Sequence, residues 1–206
     1  MVADRGAPAD AAPDRGTHPP PGPVSDGVLV EAARRGDLRA WERLVRRHQE
    51  GAFQVAYLIT RVTPLAEAAT SAAFIRAFRA LGTLREGAEF RPWLLRIVTG
   101  EARLRRREAA RVRNTSREDV PHVSPRLPAG RLEGAERVAA MSSGQREEAI
   151  TAFERLSEDD RLLIAARYHF AMSAADAATV SGIPEALTGL RLRQALRKLR
   201  SRLGDA

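Results

Sequence analysis

Between Leu156 and Leu203 the chain carries helix-start and helix-stop signals at a spacing that leaves little choice of fold. Ser157 is followed three residues later by Asp160, and Ser173 by Asp176, so each hydroxyl can cap a helix whose first turn holds an acid favoured by the dipole. Gly182 can take the left-handed conformation that closes a helix, and Pro184 suits the first turn of the next. Leu187, Leu190, Ala195, Leu199 and Leu203 then recur at helical spacing, while Arg191, Arg193, Arg197, Lys198, Arg200 and Arg202 crowd the remaining surface. Short helices at an angle followed by a basic one form the helix-turn-helix pattern, whose second helix enters the major groove. A three-helix core with merely solvated arginines fits the same spacing; DNA insertion is the preferred reading.

Charge supports that preference. The formal net charge is +8 over 206 residues, and Lys198 is the only lysine, so the positive charge is almost wholly arginine. Guanidinium forks suit phosphates and guanine edges. There is no cysteine, which excludes disulfides, thiol nucleophiles and zinc–thiolate sites. The histidines (His18, His48, His122, His169) are scattered without ligand spacing, so no metal site is expected. No apolar run reaches the ~18 residues of a membrane span and no signal-peptide segment opens the chain, so a cytoplasmic protein is expected. Paired catalytic carboxylates, a phosphate-cradling glycine loop and a nucleophile triad are all missing, so neither an enzyme nor a cofactor is expected.

Read in order, residues 1–25 hold six of the twelve prolines and almost no large apolar side chain, the composition of a disordered tail. Val28, Leu29, Ala32 and Ala33 make a short apolar face that Gly36 ends, and Asp37 can cap a second helix. That helix carries Trp41, Leu44, Val45, His48, Ala52, Val55, Ala56 and Ile59 on its core face, with Trp41 and His48 read as packed groups. Thr63 and Pro64 open a third helix, with Phe74, Ile75, Phe78 and Leu81 on one side, Glu67, Ala68, Ser71 and Ala72 on the other, and Gly82 as its stop. A fourth begins near Pro92 with Trp93, Leu94, Ile97, Val98 and Leu104 inward. It runs into Arg103, Arg105, Arg106, Arg107, Arg111 and Arg113, opposed in that stretch only by Glu108. A solvated face normally interleaves both signs, so this skew points to phosphate contact. Residues 114–144 read as a linker with a helical turn around Leu132–Met141, and Gln145–Leu156 as helix. The expected architecture is all-α: a helical bundle over 26–113, a linker over 114–144 and a helix-turn-helix domain over 145–206.

Two basic helical domains in this order resemble the extracytoplasmic-function (group IV) sigma factors of bacterial RNA polymerase. The resemblance rests on A-x-x-G-D-x-x-A-W-x-x-L from Ala33 to Leu44, AFIRAFRAL from Ala73 to Leu81 and EFRPWLLRIV from Glu89 to Val98. It continues through LSEDDRLLIAARY from Leu156 to Tyr168 and S-G-I-P from Ser181 to Pro184. It implies a first domain that docks on core RNA polymerase through the helix from Pro64 to Leu81, with Glu67, Ser71 and Arg76 at the contact. It implies that the loop from Leu84 to Arg91, with Arg85 and Phe90, holds unstacked bases of the −10 element, and that Arg103, Arg105, Arg106 and Arg107 grip flanking phosphates. Thr188, Gly189, Arg191, Arg193 and Arg197 would face the upstream −35 element of the promoter DNA. An anti-sigma factor is a further implied partner.

The departures from the family pattern fall on contact positions. Relatives read approximately D-A-E-D-L-V-Q-E-x-F where this chain reads LAEAATSAAF, so only Glu67 keeps its acid. A charge-assisted contact contributes on the order of 1.5–3 kcal/mol, enough for several losses to weaken docking by orders of magnitude. Relatives read G-T-V-K-S-R-L where this chain reads ALTGLRL from Ala186 to Leu192, and Gly100 stands where Asn is common. A promoter-specificity subunit is the main expectation. A sigma-like DNA-binding regulator with weakened polymerase engagement, or a decoy for an anti-sigma factor, is the alternative.

Overall fold

Ser25 caps the first helix: its hydroxyl accepts from the Val28 amide at the start of α1, Asp26–Arg34. The computed structural model describes residues 24–115 and 142–204, so nearly all of the expected tail and linker, with the Leu132–Met141 turn, lies outside the described residues. Gly36, at a φ of 93°, reverses the chain, and Asp37 caps α2, Leu38–Thr60, by accepting from the Arg39 and Ala40 amides at 2.9 and 3.1 Å. α3, Thr63–Ala80, has Pro64 in its first turn and passes into a short 3-10 turn at Leu81–Thr83. α4 runs from Phe90 to Thr115. After the undescribed segment come α5 (Ser143–Glu154), α6 (Glu158–Ile164) with a π turn at Ala165–His169, α7 (Ala174–Ser181) and α8 (Glu185–Gly204). Among the described residues every element is helical.

The caps sit where the sequence puts them. Ser157 and Ser173 accept from the Asp160 and Asp176 amides at 3.2 and 3.1 Å. Gly182 closes α7 in the left-handed region, at a φ of 72°. Ser142 and Gln145 add a reciprocal capping box at the start of α5.

Several apolar faces are rotated from expectation. α3 buries Ala66, Ala69, Ala73, Phe74 and Ala77, while Ile75 is 56% exposed and Phe78 also reaches solvent. Alanine at four of these five positions lets α2 and α4 approach closely, so the bulkier Ile75 is the side chain left outside. In α1 the inward residues are Leu29, Val30 and Ala33, with Val28 exposed. α4 begins at Phe90, two residues before the proline, and its Leu104 is exposed rather than in the core. α8 buries Thr188 and Ala195, with Leu192, Leu196 and Leu199 packed at the same side, and leaves Leu187, Leu190 and Leu203 exposed.

The helices before and after the undescribed segment share one core. Leu44, Val55 and Ile59 of α2 and Leu94, Leu95 and Val98 of α4 belong to the same buried cluster as Leu162 and Leu163 of α6, Phe170 and Met172 of the segment that follows the π turn, and Val180 of α7. α2 packs on α6 and α4 on α7. Burying one such side chain contributes about 1.5–3 kcal/mol, against about 0–1 for an exposed ion pair, so apolar contact is the main force holding the halves together. Buried Arg161 adds polar order. It donates to the carbonyls of Glu154 and Leu156 at 3.1 and 2.6 Å and to that of Leu58 at 3.2 Å, meeting carbonyls at the ends of α5 and α2 that lack helical partners. Lys198 of α8 donates to buried Asp160 at 2.7 Å. Burial alone would raise the Asp160 carboxyl, but the Lys198 ammonium and the Ser157 hydroxyl together bring it below the usual carboxylate value.

Candidate nucleic-acid interface

The basic half of α4 is the first part of the candidate surface. Among its expected phosphate ligands, Arg107 is exposed and Arg105 pairs with Glu108 one turn away at 3.4 Å. Arg103 and Arg106 are turned toward α6 instead. Arg103 donates through Nε to Glu158 at 2.8 Å and through Nη2 to Asp159 at 2.9 Å, and it reaches the Ser181 carbonyl at the end of α7 at 3.3 Å. Arg106 pairs with the same Glu158, and Arg191 of α8 approaches Asp159 at 3.6 Å. Two neighbouring carboxylates therefore hold three arginines assigned to DNA from the sequence. Glu158 and Asp159 are visible beside the Ser157 cap, but nothing local pairs them with arginines so far off in the chain; Arg103 lies 55 residues from Glu158.

The loop between Leu84 and Arg91 forms one wall of a cleft whose other walls come from α1, α2 and the π turn. Arg85 is exposed on this loop, and Gly87, at a φ of 73°, lets it turn. Phe90 does not serve as an open stacking surface. It is 3% exposed and packs among Trp41, His48 and Trp93, with ring centroids 6.3, 5.3 and 5.9 Å away. Its place at the first position of α4 explains the discrepancy: the helix starts two residues earlier than the proline suggests and turns the ring inward. His48 is buried as expected, with Nε2 2.7 Å from Asp26 Oδ2. Burial lowers its pKa despite that carboxylate. The far side of the cleft comes from the second half: Arg91 donates to the Phe170 carbonyl at 3.2 Å and lies over the Phe170 ring, while His169 meets Gln54 at 2.7 Å.

The second basic surface is α8. Thr188 is 1% exposed and its hydroxyl donates back to the Pro184 carbonyl at 3.2 Å, so its side chain faces the core rather than solvent. Arg191 is half-buried and turned to Asp159. The open face is formed by Leu187, Gly189, Leu190, Arg193, Gln194 and Arg197. On α3, Glu67, Ser71 and Arg76 are all exposed, Glu67 and Ser71 one turn apart and Arg76 at the edge toward α4, where it pairs with Glu101 at 2.8 Å. The apolar Ala68 and Ile75 stand beside them. Among the described residues no helix is long and apolar enough to cross a membrane, and no cluster of acids and histidines is suited to a metal ion.

The fold is thus an all-α bundle carrying a helix-turn-helix, with basic faces on α4 and α8. Residues 44–112 match the model of the Sigma-70 region 2 family. The chain is 38% identical over 82 residues to the ECF RNA polymerase sigma-E factor of Escherichia coli K12, a stretch covering 39% of this chain and 41% of that protein. It is 30% identical over 180 residues to the ECF RNA polymerase sigma factor SigM of Mycobacterium tuberculosis, covering 87% of this chain and 85% of SigM. The solved structure of CnrH in complex with the cytosolic domain of CnrY superposes with a TM-score of 0.61 at 25% identity, over 87% of this chain and 97% of that one. The sigma factor RpoE of Bartonella quintana, in complex with the anti-sigma factor NepR, shares the fold with a TM-score of 0.61 at 18% identity, over 79% of this chain and 96% of that one. The chain belongs to the ECF family of RNA polymerase sigma factors.

Proposed function

We propose that the chain is a promoter-specificity subunit: it binds core RNA polymerase and directs it to a promoter, acting in the cytoplasm by binding rather than by catalysis. The observation that carries this reading is the 30% identity to SigM over 87% of the chain, together with this chain's own order of parts, a region 2 match at 44–112 followed by a basic helix-turn-helix. α3 docks on the polymerase. Glu67, Ser71 and Arg76 are exposed on this helix, Ala68 supplies apolar area where the family pattern has an acid, and Ile75 adds exposed apolar area one turn beyond Ser71. The cleft beside Arg85 has the walls to hold a base taken out of the stack, and α8 enters the major groove of the upstream element. Arg105 and Arg107 meet backbone phosphates at once; Arg103 and Arg106 do so after Glu158 and Asp159 have moved away.

An anti-sigma partner fits the same reading, because RpoE of Bartonella quintana, which shares this fold, is found with one. The test is reconstitution of the full chain with core polymerase. The expected result is co-elution with core and transcripts that start at promoters not used by core alone. Absence of both rejects the assignment.

A further inference from the structure

We infer that Leu187 and Leu190 are specificity-determining residues that read thymine methyl groups in the upstream promoter duplex. The inference rests on the reading of α8 as the helix that enters the major groove.

Leu187 and Leu190 are 48% and 47% exposed, a large apolar area on a helix whose own packing is complete without them. The buried side of α8 is served by Thr188, Ala195 and the leucines at 192, 196 and 199. The exposed pair stands in the first two turns of the second helix, the part that meets base edges in helix-turn-helix proteins. Between them Gly189 projects no side chain, and a Cβ placed there would meet only the Arg193 guanidinium at 3.6 Å, so the backbone itself can come close to a groove floor.

The surroundings say what covers this face. Arg193 and Arg197 continue it along the helix and Arg200 lies beside it, all three exposed. An apolar pair bordered by guanidinium groups suits a polyanion that presents a small apolar group, and suits a hydrophobic protein surface poorly. In the major groove only thymine offers such a group; adenine, guanine and cytosine present donors and acceptors there. A leucine has no hydrogen bond to return, so opposite those edges it would strip water without replacing it, whereas opposite a C5-methyl it buries apolar area. Three residues of helix rise about 4.5 Å, between one and two base-pair steps of about 3.4 Å, so the two leucines can meet methyls on neighbouring or next-neighbouring pairs.

The test uses the full chain reconstituted with core polymerase to select duplexes from a randomised library, followed by replacement of individual thymines in the enriched upstream element with deoxyuridine. That replacement removes the methyl and nothing else. The expected result is a loss of affinity of about fourfold per methyl at one or two positions for the native chain. The Leu187→Ala/Leu190→Ala double variant, with unchanged thermal melting, should bind thymine and uracil duplexes equally. Enrichment of a sequence whose binding ignores uracil at every position overturns the inference and leaves the promoter-reading role standing. Uracil sensitivity that persists in the double variant also overturns it, since the methyls would then be read elsewhere. Failure to enrich any sequence removes the promoter-reading role and this inference with it.

Discussion

Arg103 of α4 and Glu158 of α6 face each other across the junction of the two halves at 2.8 Å, and the same carboxylate holds Arg106. Asp159 takes the second arm of Arg103 at 2.9 Å and approaches Arg191 at 3.6 Å. These acids occupy the donor groups of the arginines that the proposed function assigns to DNA phosphates. On the proposed reading of α4 as a phosphate-binding surface, DNA and closure of the two halves would compete for the same guanidinium groups.

Neutralising the pair should loosen closure and free the arginines. Glu158→Gln/Asp159→Asn is expected to raise affinity for a nonspecific duplex several-fold at low salt and to steepen its salt dependence. The cost in stability should stay near 1–2 kcal/mol, because the apolar contacts remain and each partly exposed ion pair contributes little. Glu147→Gln/Glu148→Gln, on exposed positions of α5, changes net charge equally and serves as the control. Equal affinities for the two variants would mean that charge alone, and not release of Arg103 and Arg106, accounts for the gain.

Phe90 and Arg85 should separate by phenotype although they lie in one loop region. Phe90→Ala removes a ring packed against Trp41, His48 and Trp93 and is expected to destabilise the fold by about 3–5 kcal/mol, read by chemical denaturation. Arg85→Ala should leave the melting curve in place and weaken promoter binding in the reconstituted holoenzyme.

The outer face of α3 gives a paired test of polymerase docking. Ile75→Lys replaces an exposed side chain, so stability should hold while affinity for core falls at least about tenfold, the effect of removing one central apolar contact and placing a charge there. Ala68→Glu returns an acid that the family pattern carries and should tighten binding. No change in core affinity for either variant would remove α3 from the interface.

Mild acid should weaken the junction. His169 meets Gln54 at 2.7 Å, and its pKa lies below the ordinary 6.5 because of burial and then of nearby Arg91, with Glu50 opposing. The protonated form is thus favoured in the unfolded chain. The contribution of neutral His169 is present above about pH 6.5 and is lost as pH falls toward the lower native value. His48 acts in the same sense. Denaturation midpoints should drop between pH 7.5 and 5.5, and His169→Gln should flatten that drop; an unchanged slope would place the pH response elsewhere.

Local signals were legible because they are local. Ser157, Ser173, Asp37 and Gly182 act within four residues of themselves, and each does in the structure what its neighbourhood indicates. The faces of α3 and α8 were harder to read. A stripe of alanines carries almost no hydropathy contrast, so Ile75 and Phe78 look like core; Thr188 looks like a contact group until its hydroxyl is seen bonded to Pro184. The junction was not legible at all. Arg161 reaches Leu58, 103 residues away, and Arg91 reaches Phe170, 79 away; no periodicity encodes pairings of that range.

The π turn at Ala165–His169 carries one residue more than an α-helical turn would, with the Phe170 amide donating to the Ala165 carbonyl at 2.9 Å. That surplus residue works as an angular offset. It shifts the end of the helix by about 100° around its axis, and it is from this end that the Phe170 carbonyl and ring meet Arg91 and the His169 ring meets Gln54. Shortening the turn by one residue is expected to rotate these groups away from Arg91 and Gln54. The coupling between the halves is thus written in chain length as much as in side-chain chemistry.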